Sequence, residues 1–97
     1  MAHDVADGNA DYGVLVCGTG IGMAVAANKI HGIRAVNCIT TQFAELAREH
    51  NNANIVTLSG RFVELDENER ILDAFLSTDF GGGRHEGRVA KIMALEN

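Results

Sequence analysis

Apolar positions along the chain fall into short continuous runs that alternate with stretches of helical spacing. Tyr12-Gly13-Val14-Leu15-Val16-Cys17 is a run of the kind shown by a strand buried on both faces, and Ile33 to Cys38 and Ile55-Val56-Thr57-Leu58 repeat it. The segments between them have a different period. Met23 to Lys29, in a helix beginning near Ile21, is Ala-rich, and His31-Gly32 stops it. Thr40 or Thr41 can cap a helix that runs through Phe43, Leu46 and Ala47 to His50. Asp66 to Leu76 places Ile71, Leu72 and Phe75 on one face, and Arg84 to Leu95 lines up Val89, Ile92 and Met93. Gly81-Gly82-Gly83 breaks the chain between these last two helices, and Ser59-Gly60-Arg61 closes the third strand. Ala2 to Asp7 reads as the tail of a helix, so the chain opens partway through an α/β unit.

Strands alternating with helices imply right-handed crossovers and a parallel sheet covered on both faces. The expected architecture is a three-layer α/β/α sandwich, Rossmann-like and incomplete at its N-terminus, forming a single domain over residues 1–97. Ligands of such sheets bind outside the carboxyl ends of the strands. Here those ends are Cys17-Gly18-Thr19, Cys38-Ile39-Thr40 and Leu58-Ser59-Gly60.

Composition narrows the functional classes. A chain of 97 residues is enough for one domain and too short for two. It buries only roughly 60–65% of its unfolded surface, so contacts with a second subunit would add stability. Without Trp, and with one Tyr and four Phe, the core must rest on Ala, Val, Ile and Leu. Eight Lys and Arg against 13 Asp and Glu leave a net charge of −5, which argues against a nucleic-acid surface. No apolar run approaches the ~20 residues of a membrane span. Met1-Ala2-His3-Asp4 lacks the layout of a signal peptide. Cys17 and Cys38 make no disulfide framework, and the expected location is the cytoplasm, with free thiols.

Candidate chemistry concentrates in Cys17-Gly18-Thr19-Gly20-Ile21-Gly22. Glycines after a strand let the backbone turn tightly, so that successive N–H groups point at one anion, and a helix starting near Ile21 adds its positive end. A thiol there is expected to favour the thiolate, with the Thr19 hydroxyl beside it. A base next to donors for a developing oxyanion is what enolisation or acyl transfer needs. The alternative is a glycine-rich turn beside an inert cysteine. The dinucleotide fingerprint is not met, because Gly18, Gly20 and Gly22 fall at every second residue and no acidic residue follows ~20 positions later. His50 ends a helix before the third strand, where it could titrate near neutral pH and face the ligand crevice, or be an ordinary surface histidine. Arg84 and Arg88 stand four apart at the start of the last helix, suited to a phosphate or to a solvated basic turn paired with Glu86. Arg61 is a further anion contact or a structural pair, and Cys38 reads as core. His3, His31 and His85 show no ligand spacing, so no metal is expected.

Taken together, Cys17 to Met23, Ala26 to Lys29, Gly32 to Ala35, Arg48-Glu49-His50-Asn51 and Gly82-Gly83-Arg84-His85 resemble the ribose-5-phosphate isomerase B family of sugar-phosphate isomerases, which includes galactose-6-phosphate isomerase. The resemblance runs from about Ala2 to the C-terminus. It implies a homodimer or higher homo-oligomer with active sites built from both subunits, interconverting an aldose phosphate and a ketose phosphate through an enediolate without metal or organic cofactor. By the same resemblance, Cys17 is the base that moves the proton between two carbons. Thr19 and the backbone of Gly18, Gly20, Ile21 and Gly22 stabilise the enediolate oxygen. His50 opens the furanose ring, Asn51 touches the sugar, Arg84 and Arg88 hold the phosphate, and Arg61 is a further ligand-side arginine. Some relatives carry a glutamate base where this chain has Met23, so the proton transfer falls to Cys17. Two departures bear on function. The family's opening strand, ending in an Asp-His pair, and the helix, strand and helix after it are absent before Met1, which would expose a sheet edge and leave the family site incomplete. Ile39 to Phe43 stands where relatives often have a Pro-Tyr loop, which bears on the sugar rather than the reaction. The expected activity is conversion of ribose 5-phosphate to ribulose 5-phosphate. The alternatives are isomerisation of galactose 6-phosphate or a tetrose phosphate, or a catalytically silent phosphate-binding remnant.

Overall fold

The structure is a computed structural model that describes residues 1–96. Its elements are α1 (Ala2–Ala6), β1 (Gly13–Cys17), α2 (Ile21–Ala27), β2 (Ala35–Asn37), α3 (Thr41–Asn51), β3 (Ile55–Ser59), α4 (Leu65–Ser77) and α5 (Arg84–Ala94). The strands are parallel, in the order β1-β3-β2, with Gly13 and Ala35 each in register with Ile55. The central strand, β3, is buried along its whole length, as its unbroken apolar run requires.

Alternation along β3 divides the core in two. Val56 and Leu58 pack against Ala44 and Ala47 of α3 and Ile71 and Phe75 of α4. Ile55 faces the other way, toward Ala27 of α2 and Val5 of α1. Helices therefore cover both faces, and the α/β/α sandwich is formed by this chain's own residues. Thr40 starts α3 by accepting a hydrogen bond from the Phe43 amide at 3.1 Å, and Asn52, in the left-handed region at φ 47°, ends it. Between these caps α3 buries Ala44, Ala47 and Arg48, the two alanines being small enough to let helix and sheet approach closely, while Phe43 points outward.

Arg48 is the polar centre of the packing. Only 5% exposed, it donates from Nε to the Thr78 carbonyl at 3.1 Å, from Nη1 to the Ala53 carbonyl at 2.7 Å and Asn52 Oδ1 at 2.9 Å, and from Nη2 to the Tyr12 hydroxyl at 3.2 Å. Its guanidinium lies 4.9 Å from the Tyr12 ring centre, and Tyr12 meets Phe75 edge to face at 5.8 Å. One side chain thus ties together the entries to β1 and β3 and the ends of α3 and α4.

The two sheet edges are treated differently. At β2 the Asn28 side chain imitates a neighbouring strand, donating to the Ala35 carbonyl at 2.9 Å and accepting from the Ala35 amide at 2.7 Å. The outer edge of β1 has no strand beside it among the described residues. Val16 is 56% exposed there, above a groove of about 310 Å³ lined by Val14, Val16, Val63, Leu65 and Leu72.

Three sequence expectations need correction. The second strand is Ala35–Asn37 rather than Ile33 to Cys38, because Arg34 bonds the Asn54 side chain in place of a ladder partner. The first crossover helix ends at Ala27 with Asn28 as its cap, short of His31-Gly32. On α5 only Val89 of the expected stripe is buried, and Ile92 stays 46% exposed because α5 packs against α3 rather than on the sheet.

Arg48→Ala is expected to lower the free energy of unfolding by about 3 kcal/mol in urea titrations, because it orphans buried carbonyls. Arg70→Ala, which removes an exposed, solvent-screened pair with Glu67 at 2.8 Å, should shift the transition far less. Equal shifts in the two variants would contradict the central role given to Arg48.

Candidate active site

The β1–α2 turn sits at the carboxyl edge of the sheet. Gly20 is its pivot, at φ 89° in the left-handed region. A Cβ there would collide with the Asn37 side-chain amide and come within 3.0 Å of the Leu58 carbonyl, so only glycine fits. Gly22 differs: it lies inside α2 and a Cβ would meet nothing within 4 Å. The evenly spaced glycines therefore do different jobs, which their spacing could not distinguish.

Two loop amides bond to side chains of the loop itself. The Gly20 N–H donates to Cys17 Sγ at 3.1 Å and the Ile21 N–H to Thr19 Oγ1 at 3.1 Å. This corrects the expectation that successive N–H groups converge on one anion. These two bonds hold the sulfur and the hydroxyl each by one of two consecutive amides, in local turns of the kind Ser and Thr favour. The loop is braced from β3: Ser59 Oγ donates to the Gly18 carbonyl at 2.7 Å and accepts from the Phe62 amide at 2.9 Å, and Asn68 of α4 donates to the Ser59 carbonyl at 2.7 Å. The Arg61 guanidinium lies over Gly18, 3.8 Å from where a Cβ would stand. The half-buried Cys17 contrasts with Cys38, which is fully buried and whose thiol burial pushes up to about 11, leaving it a protonated packing group.

The other candidate residues assemble elsewhere. β2 ends at Asn37, next to the cap of α3, and α3 ends at Asn51, next to the entry to β3. Eleven helical residues at ~1.5 Å each put these ends roughly 15 Å apart, on opposite edges of the sheet. His50 and Asn51 thus lie at the amino edge, which corrects the expectation that His50 faces the crevice of its own chain. The reason is topological, since a crossover helix runs antiparallel to its strands. The start of α5 joins them there. The Gly81 amide donates to the Glu49 carbonyl at 3.0 Å, and the His85 ring stacks on His50, centres 4.3 Å apart and planes 16° from parallel. Arg84 and Arg88 flank the pair. His85 is held below the ordinary histidine value by loss of hydration first, then by His50, Arg84 and Arg88.

The structure therefore brings Cys17, Gly18, Thr19, Gly20, Ile21, Gly22 and Arg61 together at one edge, and His50, Asn51, Arg84 and Arg88 at the other. Sequence reasoning missed Asn37, Thr57, Ser59 and Asn68 as supports of the loop, and His85 as the stacking partner of His50. Thr57 alone left a trace, as the one polar residue inside the run Ile55 to Leu58. Among the described residues no three His, Cys, Asp or Glu side chains gather in a way that could hold a metal ion, and no helix is long and apolar enough to cross a membrane.

A parallel α/β/α domain with a thiol-bearing glycine loop at one edge and an imidazole–guanidinium cluster at the other is the class of protein that fold and site define. The chain belongs to the Ribose/Galactose Isomerase family, whose model matches residues 1–92. It is 47% identical over 96 residues to ribose-5-phosphate isomerase B of Escherichia coli, covering 99% of this chain and 64% of that one. It is 42% identical over 97 residues to D-erythrulose-4-phosphate isomerase of Pectobacterium atrosepticum, covering all of this chain and 64% of that one. Among solved structures, ribose-5-phosphate isomerase B of Mycoplasma genitalium with bound ribulose-5-phosphate superposes with a TM-score of 0.94 at 46% identity, over 98% of this chain and 63% of that one. The chain thus spans just under two thirds of the length of these relatives.

Gly20→Ala should lower the melting temperature and Gly22→Ala should leave it unchanged or raise it slightly, each effect on the order of 1 kcal/mol. Calorimetry checks this, and shifts of the same sign would reject the distinction. Replacing Arg84 and Arg88 by Gln should move the NMR titration midpoint of His85 upward, toward the ordinary histidine value; an unmoved midpoint would contradict their part in depressing it.

Proposed function

We propose that this chain acts as a sugar-phosphate isomerase that interconverts ribose 5-phosphate and ribulose 5-phosphate in the cytoplasm, with Cys17 as the base. The observation that carries the reading is the Cys17 sulfur held by the Gly20 N–H at 3.1 Å, beside the Thr19 hydroxyl, at the ligand-binding edge of the sheet. Cys17, as thiolate, takes the proton from C2 of the open-chain aldose. The C2–H pair becomes the C1=C2 bond as the carbonyl pair moves to the C1 oxygen, giving the enediolate. The C2 hydroxyl proton then passes to the C1 oxygen and the Cys17 thiol returns its proton at C1, leaving C2 as the carbonyl of the ketose. Thr19 Oγ1 accepts from Ile21 and so keeps its own proton to donate to the enediolate oxygen, with Gly18, Gly20, Ile21 and Gly22 shaping the surround. His50 opens the furanose ring, Asn51 contacts the sugar, and Arg84, Arg88 and Arg61 neutralise the phosphate. No metal or organic cofactor has a step in this scheme.

The opposite placement of the two residue groups supports a homodimer with shared sites. A two-fold copy can set the Cys17 loop of one chain against the His50, Arg84 and Arg88 cluster of its partner, and the same axis builds the second site. Exposed apolar residues on three helices, Val25 at 59%, Phe43 at 52% and Ile92 at 46%, suit burial in such an interface. The Pectobacterium relative, named for a tetrose phosphate, favours a second reading with a shorter sugar. The edge of β1, with no strand beside it among the described residues, favours a third, phosphate binding without turnover.

Ribulose 5-phosphate formation by the unmodified chain, lost in Cys17→Ala by a factor of at least ~10², is the expected result. Equal rates in the two would remove Cys17 as base, faster turnover of a tetrose phosphate would reassign the sugar, and saturable binding without product would favour the silent reading. Mixing inactive Cys17→Ala and His50→Ala chains should restore about a quarter of the activity, since half of random dimers are mixed and each holds one intact site. No recovery after exchange of subunits would reject shared sites.

A further inference from the structure

The buried Thr57 and its neighbour Asn37 both hold the backbone of the Cys17 loop by its oxygen atoms. Thr57 is fully buried in β3, and its Oγ1 donates to the Gly20 carbonyl at 2.7 Å. A hydroxyl has one proton, so the nearby Asn37 amide must turn its nitrogen toward Thr57. In that orientation the two protons of Asn37 Nδ2 are shared among three acceptors, Thr57 Oγ1 at 3.0 Å, the Thr57 carbonyl at 3.0 Å and the Thr19 carbonyl at 3.3 Å.

The consequence follows from the rigidity of the peptide unit. The Thr19 carbonyl and the Gly20 N–H belong to one plane: Asn37 holds its oxygen, and its N–H points at Cys17 Sγ. The Gly20 carbonyl and the Ile21 N–H belong to the next: Thr57 holds its oxygen, and its N–H points at Thr19 Oγ1. Fixing each oxygen aims the opposite N–H. A donor at the oxygen also polarises the peptide and strengthens that N–H as a donor, by ~10–30% per bond.

We infer that Asn37 and Thr57 are positioning residues that act through two clamped peptide planes to aim one amide at the Cys17 sulfur and another at the Thr19 hydroxyl. This deepens the isomerase reading, since it rests on Cys17 as the base, but its test reads the thiol and not turnover. The neighbouring brace made by Ser59 and Asn68 holds the Gly18 carbonyl and sets the path of the chain. The Asn37–Thr57 pair instead holds the two planes whose N–H groups meet the reactive side chains.

The experiment is alkylation of Cys17 by iodoacetamide from about pH 6 to about pH 10, with the site of modification located by mass spectrometry. Cys38, fully buried, is the internal control: it stays unlabelled in any folded variant. Thr57→Val and Asn37→Leu should each slow Cys17 labelling at pH 7 by about three- to tenfold, with rates rejoining those of the unmodified chain at high pH. Thr57→Ser, which keeps the hydroxyl, should stay within about twofold. Unchanged rates at pH 7 in both Thr57→Val and Asn37→Leu would overturn the proposal, as would a fall of equal size at all pH values, the mark of altered access alone. If Thr57→Val labels Cys38 and so proves unfolded, Asn37→Leu decides the matter by the same criterion. Loss of isomerase activity in Cys17→Ala is an independent result, so failure of the base assignment and failure of the clamp can be told apart.

Discussion

The domain depends on how the carboxyl end of one buried strand handles its polar atoms. β3 runs through the centre of the sheet, where an unbonded hydroxyl costs on the order of 1–3 kcal/mol. It nevertheless carries Thr57 and Ser59, both buried, and each spends its proton on a carbonyl of the β1–α2 turn. The requirement that buried polar groups be satisfied thereby becomes the device that shapes the loop. The turn can pass so close to β2 and β3 only because Gly20 has no side chain to meet Asn37 and Leu58.

Parallel topology imposes the second constraint. Each right-handed crossover returns the chain to the amino edge before the next strand begins, so consecutive elements deliver residues to opposite edges in turn. Cys17 follows a strand and lies at one edge; His50 ends a helix and lies at the other. No adjustment of side chains brings them together within one copy. A function that needs both therefore needs a second chain, and the apolar residues exposed on α2, α3 and α5 are the surface such an arrangement would cover.

Stability and chemistry are separated in this small molecule. Arg48, with Tyr12 and Phe75, secures the amino edge by hydrogen bonds to four groups and by aromatic contact. The His50–His85 stack sits outside that cluster, with Arg84 and Arg88 exposed beside it. At the carboxyl edge, β3 supports the Cys17 loop from beneath. The weak point is the outer side of β1, where Val16 and the groove under it face solvent.

The order of elements, the parallel sandwich and the concentration of chemistry in Cys17 to Gly22 were legible in the sequence, because strand burial and helix amphipathicity leave periodic traces. Thr40 as a cap and Cys38 as core were legible for the same local reason. What the tertiary structure alone decided is contact between residues distant along the chain. Nothing near Asn37 or Thr57 in sequence announces that they hold the peptides of Thr19 and Gly20, and nothing near His85 announces its stack on His50. The even spacing of Gly18, Gly20 and Gly22 hides that Gly20 is the pivot, because its need for a left-handed backbone comes from atoms of β2 and β3. Local pattern determines which segments become strands and helices; which side chains share an edge depends on the direction each element runs once the sheet has closed.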